Sequence, residues 1–283
     1  MIFLTTIAEI VSKQVTDVTE KDMVGVDKIA DGIFYYCNKL KTIIFPNTVK
    51  KIGNYSFNSC ISLQNFTLPD GLEEIGDYAF DNCITLTSLK IPSSVMYVGK
   101  YAFEKCSNIS SVDTNGVSWQ CLFYGGLDNT KWYSNKGGLV TVANDQILIG
   151  TKVTTWTTFP STIKSLSKNA FYIKNLTSIK IPDTVQWIIG NAFSGSDTVK
   201  VDIGAGVSKM MHDTMGNTNI GTWIFRQPAS MVLDLPKAGE NTGLGYGKDS
   251  RSITIYTDNE SLKAYDWAAD NITATIKPLS EAP

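Results

Sequence analysis

The chain has 283 residues, with 25 basic and 27 acidic side chains and a formal net charge of −2. Hydrophobic residues make up 43% and charged ones 18%, so the chain can bury enough apolar surface to offset its ordering entropy, and intrinsic disorder is excluded. A near-neutral charge argues against nucleic acid, whose phosphates require a concentrated positive field. No apolar run is long enough to insert in a membrane. The only histidine is His212, which excludes a His-rich metal centre and leaves a single base for nucleophilic chemistry.

In chain order, residues 1–28 read as an N-terminal cap or attachment segment. Ile2, Leu4, Ile7, Ile10 and Val11 fit a short amphipathic element. Met1–Ile10 lacks a basic start, and no small-residue cleavage site follows, so it reads as mature sequence. Either the protein is not exported by this route or a signal has been removed.

A repeat occupies residues 29–113. Ile29-Ala-Asp-Gly-Ile-Phe34, Ile52-Gly-Asn-Tyr-Ser-Phe57, Ile75-Gly-Asp-Tyr-Ala-Phe80 and Val98-Gly-Lys-Tyr-Ala-Phe103 start 23 residues apart. Cys37, Cys60, Cys83 and Cys106 keep that spacing, as do Leu40, Leu63, Leu86 and Ile109, while Pro46, Pro69 and Pro92 mark a common reversal. Two degenerate units follow within residues 161–235 at a spacing of 22, keeping Phe171 and Phe193 but losing the cysteine.

The pattern of one unit dictates its conformation. Ala79, Phe80 and Cys83 suit the inward face of a single helical turn. Leu89 and Ile91 then alternate with Ser88 and Lys90, a half-buried strand. Pro92 ends it, because proline cannot donate to a ladder, and Val95 and Val98 suggest a second short strand opposite. One coil cannot bury its own apolar face, whereas stacked coils share a core. The fold class expected is a repeat solenoid with two narrow parallel sheets. Phe57, Phe80, Phe103, Phe171 and Phe193 would form its core ladder with the four periodic cysteines.

Ile75-Gly-Asp-Tyr-Ala-Phe-Asp-Asn-Cys-Ile-Thr-Leu-Thr-Ser-Leu-Lys-Ile-Pro-Ser-Ser-Val95 resembles the BspA-type bacterial leucine-rich repeat. The resemblance is specific over 29–113, good over 161–207 and weak elsewhere. It implies short parallel β-strands with short helical turns. It also implies an α/β C-terminal cap within 236–283, built from strand Ile253–Tyr256, a short helix over Leu262–Trp267 and strand Ile272–Ile276. Arrays need such caps to stay soluble.

Between the two blocks, residues 114–160 break the period and carry Trp119, Phe123, Tyr124, Trp132, Tyr133 and Trp156. Tyr133–Leu139 reads as a hairpin around a glycine turn and Gln146–Ile149 as a strand. Aromatic residues suit binding surfaces but also fill irregular cores, and the resemblance implies a degenerate β-rich insertion here. A second candidate surface is the concave sheet, with Thr42 and Ile44, Asn65 and Thr67, Ser88 and Lys90, Ser111 and Asp113, Ser178 and Lys180, and Lys200 and Asp202 pointing outward. Small polar residues dominate there, as on a solvated face, and no aromatic stripe marks a sugar track.

The periodic thiols lack the Cys-x-x-Cys spacing of zinc sites, and the odd fifth residue, Cys121, weakens a disulfide framework. They read as small apolar core residues, so no metal and no cofactor is expected. Gly239–Gly247 lacks the Gly-Lys-Ser/Thr ending of a phosphate loop and reads as a surface loop. His212 beside Asp213 reads as a surface or capping group. Asn54-Tyr-Ser56, Asn65-Phe-Thr67, Asn108-Ile-Ser110, Asn175-Leu-Thr177 and Asn271-Ile-Thr273 match a glycosylation pattern by composition alone. A carboxylate pair such as Asp128 with Asp145 has no spacing that supports catalysis.

The expected function is therefore non-enzymatic: a solenoid acting as a recognition surface. The resemblance implies bacterial surface adhesins that bind host proteins, other cells or glycans, and also tail, fibre and decoration proteins of phages. The absence of a visible export signal favours a virion component over the adhesin. Its partners would be other virion proteins or a host cell-surface protein or glycan. The sequence leaves open whether the chain forms a homo-oligomer.

Overall fold

The computed structural model describes residues 15–136, 139–151, 159–171, 178–196, 200–216, 218–238, 243–244 and 251–283, with the side chains of Asn65, Leu139 and Thr151 outside the description. The amphipathic element expected over residues 2–11, Trp156 and most of Gly239–Gly247 also lie outside the described residues. The chain divides into two compact units, Met1–Lys136 and Gly137–Pro283.

The first unit contains β1 (Asp17–Val18), β2 (Lys28–Ile29), β3 (Thr42–Ile44), β4 (Lys51–Ile52), β5 (Asn65–Thr67), β6 (Glu74–Ile75), β7 (Ser88–Lys90), β8 (Tyr97–Val98), β9 (Ser111–Asp113) and β10 (Leu122–Phe123). The even-numbered strands form one parallel sheet in the order β10-β8-β6-β4-β2. Register places Ile29, Ile52, Ile75, Val98 and Phe123 side by side, and all five are buried. The odd-numbered strands form two further parallel sheets, β1-β3-β5 and β7-β9.

The arc joining the two sides differs from the expected helical turn. Tyr78 and Asn82 adopt left-handed backbone, with φ of 54° and 61°, which a right-handed helix excludes. The hydrogen bonds explain the difference. Alternate amides reach to the next coil: Tyr78 N donates to Lys100 O at 2.9 Å, Phe80 N to Ala102 O at 2.8 Å and Asn82 N to Glu104 O at 2.7 Å. Those between close tight turns, as with Asp81 N to Tyr78 O at 3.2 Å. The arc is thus a third inter-coil ladder, and it satisfies buried backbone groups that a single helical turn would leave without partners.

Two side-chain columns ride on these ladders. Phe34, Phe57, Phe80 and Phe103 stack with ring centroids 5.0, 5.1 and 5.4 Å apart, within the range of offset aromatic pairs. At the edge, an Asx residue of one coil accepts the backbone N–H of its counterpart in the next. Asp31 Oδ1 takes Asn54 N at 3.0 Å, Asn54 Oδ1 takes Asp77 N at 2.8 Å, and Asp77 Oδ1 takes Lys100 N at 2.8 Å. The preceding glycine makes room for that carboxamide or carboxylate. A Cβ on Gly76 would lie 2.6 Å from Asn54 Oδ1, and one on Gly99 would lie 2.5 Å from Asp77 Oδ1.

Residues 114–136, the first part of the aromatic segment, pack as a fifth coil of this unit. Cys121, Phe123 and Leu127 are buried, and β10 continues the sheet. The short helix α1 (Lys131–Ser134) replaces the start of the hairpin expected over 133–139, because Thr130 Oγ1 caps it by accepting from Tyr133 N at 3.0 Å.

The second unit opens with an antiparallel hairpin of β11 (Leu139–Val142) and β12 (Ile147–Thr151). Its reversal uses Ala143, Asn144 and Asp145, with φ of 54°, 55° and 62°. Then follow β13 (Ser165–Leu166), β14 (Ser178–Ile181), β15 (Trp187–Ile188), β16 (Lys200–Ile203), β17 (Lys209–Met210), β18 (Thr222–Phe225), β19 (Arg251–Thr257), helix α2 (Glu260–Lys263) and β20 (Ile272–Lys277). They build the sheets β11-β12-β13-β15-β17 and β14-β16-β18-β19-β20. Phe171 and Phe193 stack at 5.2 Å, and Phe193 meets Trp223 edge-on at 5.4 Å. Buried Ser196 stands three residues after Phe193, where the first unit has cysteine. Asn259 Oδ1 caps α2 through Leu262 N, and its Nδ2 donates to Pro228 O and Met231 O.

Replacing Phe80 with Ala removes a fully buried ring between two stacked neighbours. The expected loss is about 3–5 kcal/mol of unfolding free energy, to be measured by urea denaturation followed by circular dichroism. A loss below about 1 kcal/mol would show that the column does not support the stack.

Candidate recognition surface

The outer side of the first unit's arc carries a second aromatic column. Tyr55 and Tyr78 stack with centroids 4.9 Å apart and planes 6° apart, and Tyr78 and Tyr101 follow at 5.0 Å and 30°. Tyr55 is 44% exposed, Tyr78 and Tyr101 are half-buried, and on the first coil Tyr36 is 59% exposed beside exposed Tyr35. All three column residues sit at positive φ, 55°, 54° and 57°. Gly32 and Gly126 take the corresponding place in the coils on either side, and Asn169, Asn191 and Asp213 take it in the second unit, also at positive φ. Those are the residue types this backbone favours. A tyrosine there costs on the order of 1 kcal/mol of strain, which ring stacking offsets. In the sequence these tyrosines stand inside the repeat, apart from the candidate surfaces. Their constant spacing of 23 was the signal.

The structure sorts the aromatic candidates into two groups. Trp119, Trp132 and Tyr133 are half-buried at the surface. Lys136 Nζ lies 5.0 Å over the Trp132 ring, and burial pushes the Tyr133 hydroxyl up to about 12. Phe123 and Tyr124 are instead buried, because register aligns Phe123 with Val98 on the inward face of β8 and β10. These two belong to the core, which corrects their assignment to a contact surface.

On the sheet faces, Lys90 and Lys180 are exposed, while Asp113, Lys200 and Asp202 are half-buried. Asp202 is held by Arg226 in a two-point ion pair, Nε–Oδ1 2.6 Å and Nη2–Oδ2 2.8 Å. That fork geometry fixes both groups and leaves the carboxylate little capacity for an outside cation. Lys200 Nζ lies 3.4 Å from Pro283 O.

The cysteine column is chemically quiet. Cys60, Cys83, Cys106 and Cys121 are buried, Cys37 is half-buried, and all five are unbridged. Each inner thiol donates to a carbonyl of the preceding coil: Cys60 to Phe34 O, Cys83 to Phe57 O and Cys106 to Phe80 O, all at 3.1 Å. Burial pushes the thiols of Cys60, Cys106 and Cys121 up to about 12 and that of Cys83 well above its ordinary range. The thiolate required for metal binding or nucleophilic attack is therefore suppressed at neutral pH. Among the described residues, no three His, Cys, Asp or Glu side chains converge as metal ligands. Asp128 Oδ1 accepts Gly126 N at 3.3 Å, and Asp145 Oδ1 accepts the Thr141 hydroxyl, so each carboxylate serves its own turn. His212 is half-buried, with Nδ1 3.3 Å from Asp213 Oδ2. No described helix is long and apolar enough to cross a membrane.

Parallel coils, one core phenylalanine per coil and a leucine or isoleucine closing each turn define a leucine-rich-repeat solenoid. The chain belongs to the BspA-type leucine-rich repeat family, whose model matches six copies over residues 27–120 and 142–232. No curated protein matches the chain. It is similar to a solved leucine-rich repeat protein from Bacteroides ovatus, with 19% identity, 95% of this chain and 74% of that one covered, and a TM-score of 0.39. It is likewise similar to one from Eubacterium ventriosum, with 17% identity, 93% and 73% covered, and a TM-score of 0.42. A third is the T. pallidum leucine-rich repeat protein, with 22% identity, 69% and 76% covered, and a TM-score of 0.36.

The raised thiols predict alkaline sensitivity. In the unfolded chain each thiol loses its proton near pH 9, whereas Cys60, Cys106 and Cys121 in the native state hold theirs to about 12. Their contribution to stability is complete below pH about 9 and disappears as pH rises towards 12. Urea midpoints should fall across that window, and less steeply when Cys60, Cys83 and Cys106 are replaced by Ala. Equal slopes in the two proteins would contradict the assignment.

Proposed function

We propose that this chain is a non-enzymatic recognition protein whose stacked coils present a fixed surface to another macromolecule, a protein or glycan on a cell. The observation that carries this reading is the Tyr55–Tyr78–Tyr101 column. Three aromatic rings occupy left-handed backbone positions of the kind that favour glycine or asparagine, and unusual backbone retained at a surface site is a mark of function. Tyrosine also suits recognition, since a rigid ring offers large contact area at small entropic cost. Half-buried Trp119 and Trp132 extend the aromatic content of the same unit.

The finer reading is a phage virion component, in a tail, fibre or decoration, that meets the host surface. What supports it is the set of five unbridged cysteines, since proteins that fold in a reducing cytosol keep their thiols and exported ones tend to form bridges. Family membership supports a second reading, a bacterial surface adhesin. Antibody labelling separates them: purified particles carry the label in the first case, and intact uninfected bacteria in the second.

The recognition role itself is tested with fluorescent protein and whole bacterial or host cells. Tyr55→Asn/Tyr78→Asn/Tyr101→Asn uses the residue found at this place in the second unit, so the coils should still form. Cell binding should fall about tenfold or more, as when central aromatic anchors are removed, with the melting temperature little changed. Unchanged binding would eliminate the tyrosine column, and Trp119→Ala with Trp132→Ala would then test the other aromatic surface.

A further inference from the structure

The odd-numbered side of the first unit is interrupted. β5 pairs with β3, and β7 pairs with β9, but β5 and β7 belong to separate sheets, whereas β4, β6 and β8 opposite them are continuous. The interruption coincides with a change in the repeat. Ile43 and Leu89 are buried, while Phe66, aligned with Ile43 by register, is only half-buried. At this level the core already holds Phe57 and Phe80. The Phe66 ring lies 5.0 Å from Phe80, tilted by 31°, and Phe45 meets Phe57 edge-on at 5.7 Å. A fourth ring does not fit a space built for isoleucine or leucine, and the sheet opens above it.

Beside the interruption, over β3, β5 and the start of β7, lies a cavity of about 560 Å³, within the range of sites that hold ligands. Phe66 and the 47% exposed Ile44 give it an apolar floor, and Thr67 and Ser88, on the facing strands, line it. Glu20 and Asp70 bring two exposed carboxylates, and among the described residues no lysine, arginine or histidine lines it. Open strand flanks are suited to an extended main chain, and side-chain pockets between them supply specificity. Two carboxylates in a lining without a described cation favour a positive partner.

We propose that this cavity binds an extended peptide segment carrying lysine or arginine, its main chain along β5 and β7 and its cation against Glu20 and Asp70. This rests on the reading of the chain as a recognition protein and names one class of partner for it. The test is fluorescence anisotropy of the full chain with an octapeptide of alternating lysine and threonine, compared with its glutamate–threonine counterpart and with a glucosamine tetramer. The lysine peptide should bind, and more weakly as salt rises; the glutamate peptide should not.

Two variants separate binding from folding. Glu20→Gln/Asp70→Asn should weaken the lysine peptide about tenfold or more without altering the melt, as expected when charge partners are removed. Phe66→Leu supplies the residue that Leu89 places in the next coil. It should raise or preserve the melting temperature while abolishing peptide binding. Wild-type affinity in either variant, no binding of the lysine peptide, or binding of the glucosamine tetramer in its place would overturn the proposal. Loss of the proposal with intact cell binding would leave the recognition role standing, because the tyrosine variant tests that role separately.

Discussion

Hydrogen bonds between successive coils are the constraint on which the first unit depends. Neighbouring strands joined by backbone hydrogen bonds lie about 4.8 Å apart. The arc residues Tyr78, Phe80 and Asn82 tie each coil to the next in the same manner as the strands do. Any side chain repeated once per coil must therefore meet its copy at nearly that distance. For benzene rings it is close to the offset-stacked optimum, which accounts for both the buried phenylalanine column and the outer tyrosine column. For a thiol, the same spacing brings Sγ within reach of the carbonyl of the preceding coil. One geometric rule selects phenylalanine, cysteine, glycine and Asx at their places.

Much of this was legible in the sequence because the coil is short and each position is used for one purpose. Constant spacing of Ile52, Ile75 and Val98, of the phenylalanines and of the cysteines was enough to define the inward residues. Conformation inside the arc was less legible. Ala79, Phe80 and Cys83 fit a helical turn by spacing, but spacing does not report the sign of φ, and left-handed Tyr78 and Asn82 produce a different path with the same inward residues. Tyrosine is an uncommon choice for that backbone, so residue preference pointed away from the actual conformation.

The aromatic segment was less legible for a related reason. The repeat runs at 23 residues, whereas the coil ending at Phe123 is longer: Phe123 pairs with Val98 after 25. Two added residues hide the coil from a fixed period while leaving its register on the sheet intact. Phe123 and Tyr124, surface candidates by residue type, fill the core. The hairpin starts further along the chain, at Leu139, and Thr130 caps a helix over the start of the expected one. The second unit relaxes the rules further. Buried Ser196 replaces the thiol, Trp223 meets Phe193 edge-on, and Asn or Asp returns to the left-handed position.

The pairing of Asx with glycine has a consequence for how such proteins change in length. Asn54 Oδ1 seats Asp77 N beside Gly76, and the same contact recurs one coil later with Asp77, Lys100 and Gly99, each 23 residues on. Deleting or duplicating one whole period would rejoin chain ends that already match, because every junction is interchangeable with the next. Unequal recombination between neighbouring repeats could then shorten or extend the array while keeping each interlock, whereas an insertion of partial length would put a Cβ or a wrong side chain into it.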